Sequence, residues 1–198
     1  IRHKYRLKNT TGFSINALLD FENPLDILNH LMVGSEGTLG FISAVTYDTV
    51  PDHPYKASAL IVFPYVDTCC KAVAVLKQQP VAAVELLDRR SLRSVENMAG
   101  MPQWVRELSA GACALLIESR AASGALLHEQ LAHVMAAIAH FPVEKQVDFS
   151  DDPVVYNQLW RIRKDTFPAV GAVRQTGTTV IIEDVAFPVS RLAEATLD

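Results

Sequence analysis

The sequence predicts an α+β fold: a ferredoxin-like antiparallel sheet with helices on one face, preceded by a shorter block of different character. Three observations carry this. Strand-like and helix-like runs follow in the order strand–helix–strand twice, at 57–87 and 113–149, the plan of a split βαβ arrangement. Two prolines in "VPDHPYK", residues 50–56, mark a linker before the first of these runs. A hydrophobic content of 49% with 20% charged residues in 198 positions supplies enough apolar surface for a proper core.

Residues 1–50 form the first block and 51–198 the second. In the first, a basic polar start and the turn "NTTGF" lead to a helix expected over Pro24–Leu31. Then "GSEGTLG" places glycines at 34, 37 and 40 in an apolar run whose only charge is Glu36. Glycine admits positive φ and lets another group come close. With the hydroxyls of Ser35 and Thr38, this is the composition of a nest for an anionic group such as a pyrophosphate. A plain tight turn between core elements fits equally well. No Gly-Lys-Ser/Thr follows and the spacing is not G-x-G-x-x-G, so the stretch is neither a P-loop nor the usual dinucleotide fingerprint. Phe41–Tyr47 alternates apolar and small polar residues, which predicts a strand.

In the second block, "ASALIVFP" reads as a buried strand and "DTCCKAVAVLKQQ" as a helix from near Asp67. "VAAVELLD" is a second strand, and "RSLRSVENMAG" a helix closed by Gly100. "GACALLIES" is a third strand. "GALLHEQLAHVMAAIAHF" is a helix with Leu127, Leu131, Val134 and Ile138 at core spacing. "VEKQVDF" is a fourth strand. A helix over Asp152–Thr166 and a strand "TTVIIEDVAF" follow.

A net charge of −4 without a basic block argues against nucleic acid as the main partner. No apolar run reaches the length of a membrane span. Three cysteines, two adjacent at 69 and 70 and one at 113, show no framework spacing and suggest a reducing compartment. Neither the cysteines nor the six histidines have metal-ligand spacing. The start at Ile1 and the helix-like end "SRLAEATLD" suggest an excerpt from a longer protein.

The candidate chemistry lies in "DDPVVYNQLWRIRKDTFP". At about 100° per residue, Tyr156 and Arg163 superpose, with Leu159 and Trp160 beside them and Phe167 continuing the stripe. Arg163 is thus expected on an inward, aromatic face. There a guanidinium must be paired or await an anion. It is either a structural salt bridge or a bidentate clamp for a substrate carboxylate. Arg174, between two glycines, is a second anion contact or simply solvated. Glu183 and Asp184 point to opposite faces of a strand and form no acid–base pair. Glu85 is expected to be held by Arg89 or Arg90.

"KNTTGF", residues 8–13, followed by "LMVGSEGTLGFISAVTYDTVP", residues 31–51, resembles the closing part of the PCMH-type FAD domain of the vanillyl-alcohol-oxidase-like flavoproteins. The similarity is to the branch of D-lactate, glycolate and D-2-hydroxyglutarate dehydrogenases. Residues 51–198 resemble that branch's C-terminal substrate, or cap, domain, truncated at its end. The resemblance implies that Gly34, Ser35, Gly37, Thr38 and Gly40 run against FAD and that Ile42 lies near its adenine side. It makes Glu36 a buried structural or ribose-side acceptor and brings Lys8, Asn9 and Thr10 toward the flavin end. The family's substrate arginine falls on Arg163, while its lysine near the next strand falls on Ile182 and is unmatched.

The implied activity of the full-length parent is oxidation of a D-2-hydroxy acid to the 2-oxo acid, with hydride transfer to FAD and a base outside this chain. The segment "NALLDFENPLDIL", residues 16–28, further resembles long bacterial members with an iron–sulfur domain. That domain would lie beyond residue 198 and pass electrons to a quinone or carrier. A cytoplasmic location follows, with association at the inner face of the bacterial membrane and oligomerisation left open. The excerpt alone is expected to be inactive and to bind FAD weakly or not at all. The competing reading is a ferredoxin-like module that binds a small ligand or a partner without catalysis.

Overall fold

The computed structural model describes residues 1–7, 12–99, 101–172, 175–178 and 186–197, without the side chains at 167, 170 and 171. Two compact units emerge: residues 1–51 with 181–188, and residues 52–180 with 189–198.

In the first unit, a short helix α1 (Ala17–Asp20) precedes α2 (Pro24–Met32). Asn23 caps α2 by accepting a hydrogen bond from the Leu25 N–H at 2.9 Å, and Pro24 stands where the missing N–H is no loss. Residues 40–53 carry no regular secondary structure, so the strand expected over Phe41–Tyr47 does not form. A strand exists only when a neighbour completes its ladder, and alternation alone cannot supply one. Phe41 and Tyr47 are 92% and 79% exposed within this unit.

The second unit carries the sheet. Its strands are β1 (Tyr55–Phe63), β2 (Ala83–Leu87), β3 (Cys113–Ala121) and β4 (Lys145–Ser150). Their spatial order is β2-β3-β1-β4, every pair antiparallel. α3 (Val66–Leu76) joins β1 to β2, and α5 (Gly124–Ile138) joins β3 to β4. Each strand–helix–strand unit therefore leaves room for one strand of the other, which is the ferredoxin-like interleaving expected from the sequence.

Helices cover both faces of this sheet, not one. α3 and α5 pack on Ile61, Phe63, Leu115 and Ile117. On the other face, α4 (Arg89–Val95) and α6 (Pro153–Ala172) pack on Leu60, Val62, Ala114 and Leu116. The reason lies in the central strands. β1 and β3 are apolar at both odd and even positions, and a strand with two apolar faces must be covered twice. A 3₁₀ turn at Gln103–Glu107 adds Val105 to the α4/α6 core. α7 (Leu192–Leu197) packs against α3.

α6 runs past its expected end at Thr166, through Pro168, to Ala172. Pro168 has no N–H for the Lys164 carbonyl, so the helix continues one hydrogen bond short. The Thr166 hydroxyl donates to the Ile162 carbonyl at 2.8 Å within the same segment. The expected closure of α4 at Gly100, the strand over 179–185 and the stripe position of the Phe167 side chain lie outside the described residues.

Candidate functional site

The glycine hinge of the first unit is a helix stop followed by a tight turn. Gly34 is the first residue beyond the C-cap of α2 and has φ +79°, the left-handed conformation that ends helices. A Cβ there would lie 3.5 Å from the Gly12 carbonyl oxygen. Glu36 and Gly37 follow at φ +50° and +78°, and the Thr38 N–H donates to the Ser35 carbonyl at 2.9 Å. Positive φ at both central positions is the signature of a type I′ turn. The Thr38 hydroxyl also donates to the Ser35 carbonyl, at 2.6 Å, and Ser35 is buried.

Glu36 is exposed in this unit rather than buried, because it stands at the outer corner of that turn. At Gly37 an added Cβ would meet nothing within 4 Å, so the outside of the turn is open to close approach by another group. This fits a hinge that runs against a dinucleotide. Gly40 is near Met32, whose Cε would be 3.0 Å from an added Cβ, and Ile42 is half exposed. Lys8, Asn9, Thr10 and Arg174 lie outside the described residues, as do Ile182, Glu183 and Asp184.

In the second unit the inward face of α6 is centred on Leu159 and Ile162, both buried, one step round from the expected Tyr156–Arg163 line. Arg163 therefore sits at the margin, its side chain 41% exposed. Its Nε donates to Glu85 Oε2 at 2.8 Å. Of the expected partners of Glu85, Arg89 is engaged otherwise, and Arg90 is exposed with no ion pair among the described residues. Both terminal nitrogens of Arg89 reach Glu96 at 3.1 Å, two turns along α4. The separation between residues 85 and 163 hid the actual pair from sequence reasoning, since only the packing of α6 on the sheet brings them together.

Next to this pair, sequence reasoning missed a buried polar network. β2 and β3 pair Ala83 with Glu118, and β1 and β3 pair Ser58 with Glu118, on the α6 face. Glu118 is buried and fully engaged. Its Oε1 accepts from Arg120 Nε at 2.6 Å. Its Oε2 accepts from Trp160 Nε1 at 2.8 Å and from Ser58 Oγ at 3.2 Å. Trp160 Nε1 also reaches Ser58 Oγ at 3.0 Å. Arg120 Nη1 donates to Asp52 at 2.9 Å. The hydrogen bond to Glu118 strengthens the hold of the Arg120 guanidinium on its proton, more than partial burial weakens it. An acid at the alternate position of the apolar run "CALLIES" was the available signal.

Beyond Trp160 the α6 face opens into a cleft of about 450 Å³ lined by Lys56, Arg120, Tyr156, Asn157 and Lys164. Lys56 Nζ lies 5.1 Å from the centre of the Tyr156 ring, a cation–π distance. The other face of the sheet holds thiols instead. Cys69, Cys70 and Cys113 are free and buried. The Cys69 thiol is pushed well above its ordinary range by its hydrogen bond with Cys113 and by burial. Among the described residues no cluster of three or more metal-ligating side chains occurs, and no helix is long and apolar enough to cross a membrane.

An antiparallel sheet layered between α3/α5 and α4/α6, with the Arg163–Glu85 pair at the margin of α6, makes the second unit an α+β domain with a polar site on its α6 face. The chain belongs to the family of FAD linked oxidases, C-terminal domain, matched over residues 52–198. Its relatives include the mitochondrial D-lactate dehydrogenase [cytochrome] of Arabidopsis thaliana, 33% identical over 171 residues, with 84% of this chain and 28% of that protein covered. A probable mitochondrial D-lactate dehydrogenase of Danio rerio is 27% identical over 169 residues, covering 84% and 32%. A D-lactate dehydrogenase of Anaerostipes hadrus is 24% identical over 174 residues, covering 84% and 35%. The chain spans about a third of the length of these relatives.

Proposed function

We propose that this chain is a fragment of a flavin-dependent dehydrogenase that oxidises a D-2-hydroxy acid to the 2-oxo acid, with residues 1–50 closing its FAD-binding domain and 51–198 forming its substrate domain. The observation that carries the reading is Arg163, half exposed at the margin of α6 and held in place by Glu85. The family membership and the names of the relatives support the reaction class.

FAD, when bound in the parent protein, supplies the hydride acceptor for such a reaction. Gly34, Ser35, Gly37, Thr38 and Gly40 are the residues proposed to run against it, with Ile42, Glu36, Lys8, Asn9 and Thr10 flanking. The open outer side of the turn at Gly37 supports that placement. Arg163 binds the substrate carboxylate through its terminal guanidinium nitrogens, while Nε stays on Glu85 and fixes the direction of the fork. Fixing the carboxylate fixes the reacting carbon, the main contribution a positioning group makes to such a step. Arg174 is the proposed second anion contact. An iron–sulfur domain in the parent, with onward transfer to a quinone or carrier at the inner face of a bacterial membrane, completes the proposal.

The test uses the full-length protein. Its flavin is followed anaerobically by absorbance while D- and L-2-hydroxy acids are added, alongside Arg163→Met. One D-acid should bleach the wild-type flavin, and the variant should keep its flavin but require far more substrate. Flavin that no hydroxy acid reduces refutes the substrate class. Unchanged substrate demand in the variant refutes the role of Arg163.

A further inference from the structure

The cleft beside Trp160 has no role in the reading above, and its chemistry is specific. Lys56 on β1 and Arg120 on β3 are directly opposed cross-strand partners. Like charges at directly opposed positions repel and are ordinarily avoided. Lys164 adds a third cation from α6.

The compensating carboxylates are few. Among the described residues Glu118 is the one acid lining the cleft, and both its oxygens are already taken by Arg120, Trp160 and Ser58. Asp52, on the far side of Arg120, is 87% exposed. Among the described residues neither Lys56 nor Lys164 has an ion-pair partner, and Arg120 Nη2 is left without one. Three cations against one engaged carboxylate leave the lining formally two charges positive, in a chain whose net charge is −4. The bland alternative is three solvated cations on a surface. Against it stand the concave shape, a size within the range of small-molecule sites, and the Tyr156 ring, which holds Lys56 Nζ at 5.1 Å from its centre on the rim of the cleft.

We propose that this cleft binds a small molecule carrying two negative charges, with Lys56 and Lys164 as its main contacts and Arg120 Nη2 as a third. Two negative charges match the formal excess of the lining. Dicarboxylates and phosphate monoesters share this chemistry. Neither Arg163 nor Glu85 lines this cleft, and the proposal stands whether or not a hydroxy acid is the substrate.

Calorimetric titration of the full-length protein at constant ionic strength tests this, with succinate, inorganic phosphate and, as a monoanion control, acetate. Saturable binding of one dianion, with acetate much weaker, is the expected result. Lys56→Met and Lys164→Met should each weaken it about tenfold or more, as loss of a charge-assisted contact does. Lys164→Arg should restore it, and Arg163→Met should leave it unchanged. Preference for succinate assigns a dicarboxylate, and preference for phosphate assigns a phosphate monoester. The proposal is overturned if neither dianion binds saturably, if both lysine variants bind like wild type while retaining its thermal midpoint, or if Arg163→Met alone abolishes binding. Because the readout is binding heat, a flavin that no hydroxy acid reduces leaves this result independent.

Discussion

Truncating Glu118 to alanine should destabilise the second unit by a calculable amount. The carboxylate accepts three hydrogen bonds, but their loss is unequal. Arg120 is 39% exposed and keeps Asp52, so it returns to water at a cost of about 0–1 kcal/mol. Trp160 Nε1 retains Ser58 Oγ as an acceptor at 3.0 Å. Ser58, fully buried, then has a hydroxyl hydrogen with no acceptor, worth about 1–3 kcal/mol. The void left by the buried side chain adds about 1 kcal/mol. The total is about 2–5 kcal/mol, which lowers the urea midpoint by about 1–2.5 M for a slope near 2 kcal/mol/M. Tryptophan fluorescence is the suitable probe, since both tryptophans, 104 and 160, lie in this unit. Trp160→Phe should cost less alone, and the double variant should show a coupling energy of about 1 kcal/mol or more. A loss below about 0.5 kcal/mol for Glu118→Ala would show that the network is solvated and refute its role.

Ile162→Ala removes a fully buried side chain from the α4/α6 core and should cost about 2–5 kcal/mol by the same assay. A small effect would mean that α6 does not close this face of the sheet. The Cys69 thiol gives a pH dependence. Its folded pKa is raised above the ordinary 9.0, so the folded state keeps the proton where the unfolded state loses it. That stability is complete below pH 9 and declines as pH rises beyond it. Between pH 8 and 10 the wild type should therefore lose on the order of 1 kcal/mol more than Cys69→Ala. Equal slopes for the two proteins would contradict the assignment.

The two strand–helix–strand units, the four strands, and the helices α2, α3 and α5 follow from periodicity and capping, which are properties of short stretches. The apolar runs of β1 and β3 already encoded cover on both faces, although their continuous character was read as one buried side. Phe41–Tyr47 illustrates the opposite limit: alternation predicts a strand, but the ladder depends on a neighbour that local sequence does not specify.

The candidate site divides in the same way. The sequence by itself determined that Arg163 lies near the packed face of an amphipathic helix and that glycines at 34 and 37 mark a sharp change of direction. It also carried, through its motifs, the resemblance to flavin-linked oxidases. Only the tertiary structure decided that Arg163 sits at the margin and pairs with Glu85, 78 positions away. The same holds for Glu118 joining Ser58 and Trp160, and for Lys56, Arg120 and Lys164 sharing one cleft. Side-chain pairing between distant segments depends on strand register and on where a helix crosses the sheet. A shift of one residue in register sends every side chain of a strand to the other face, and no local pattern fixes that choice.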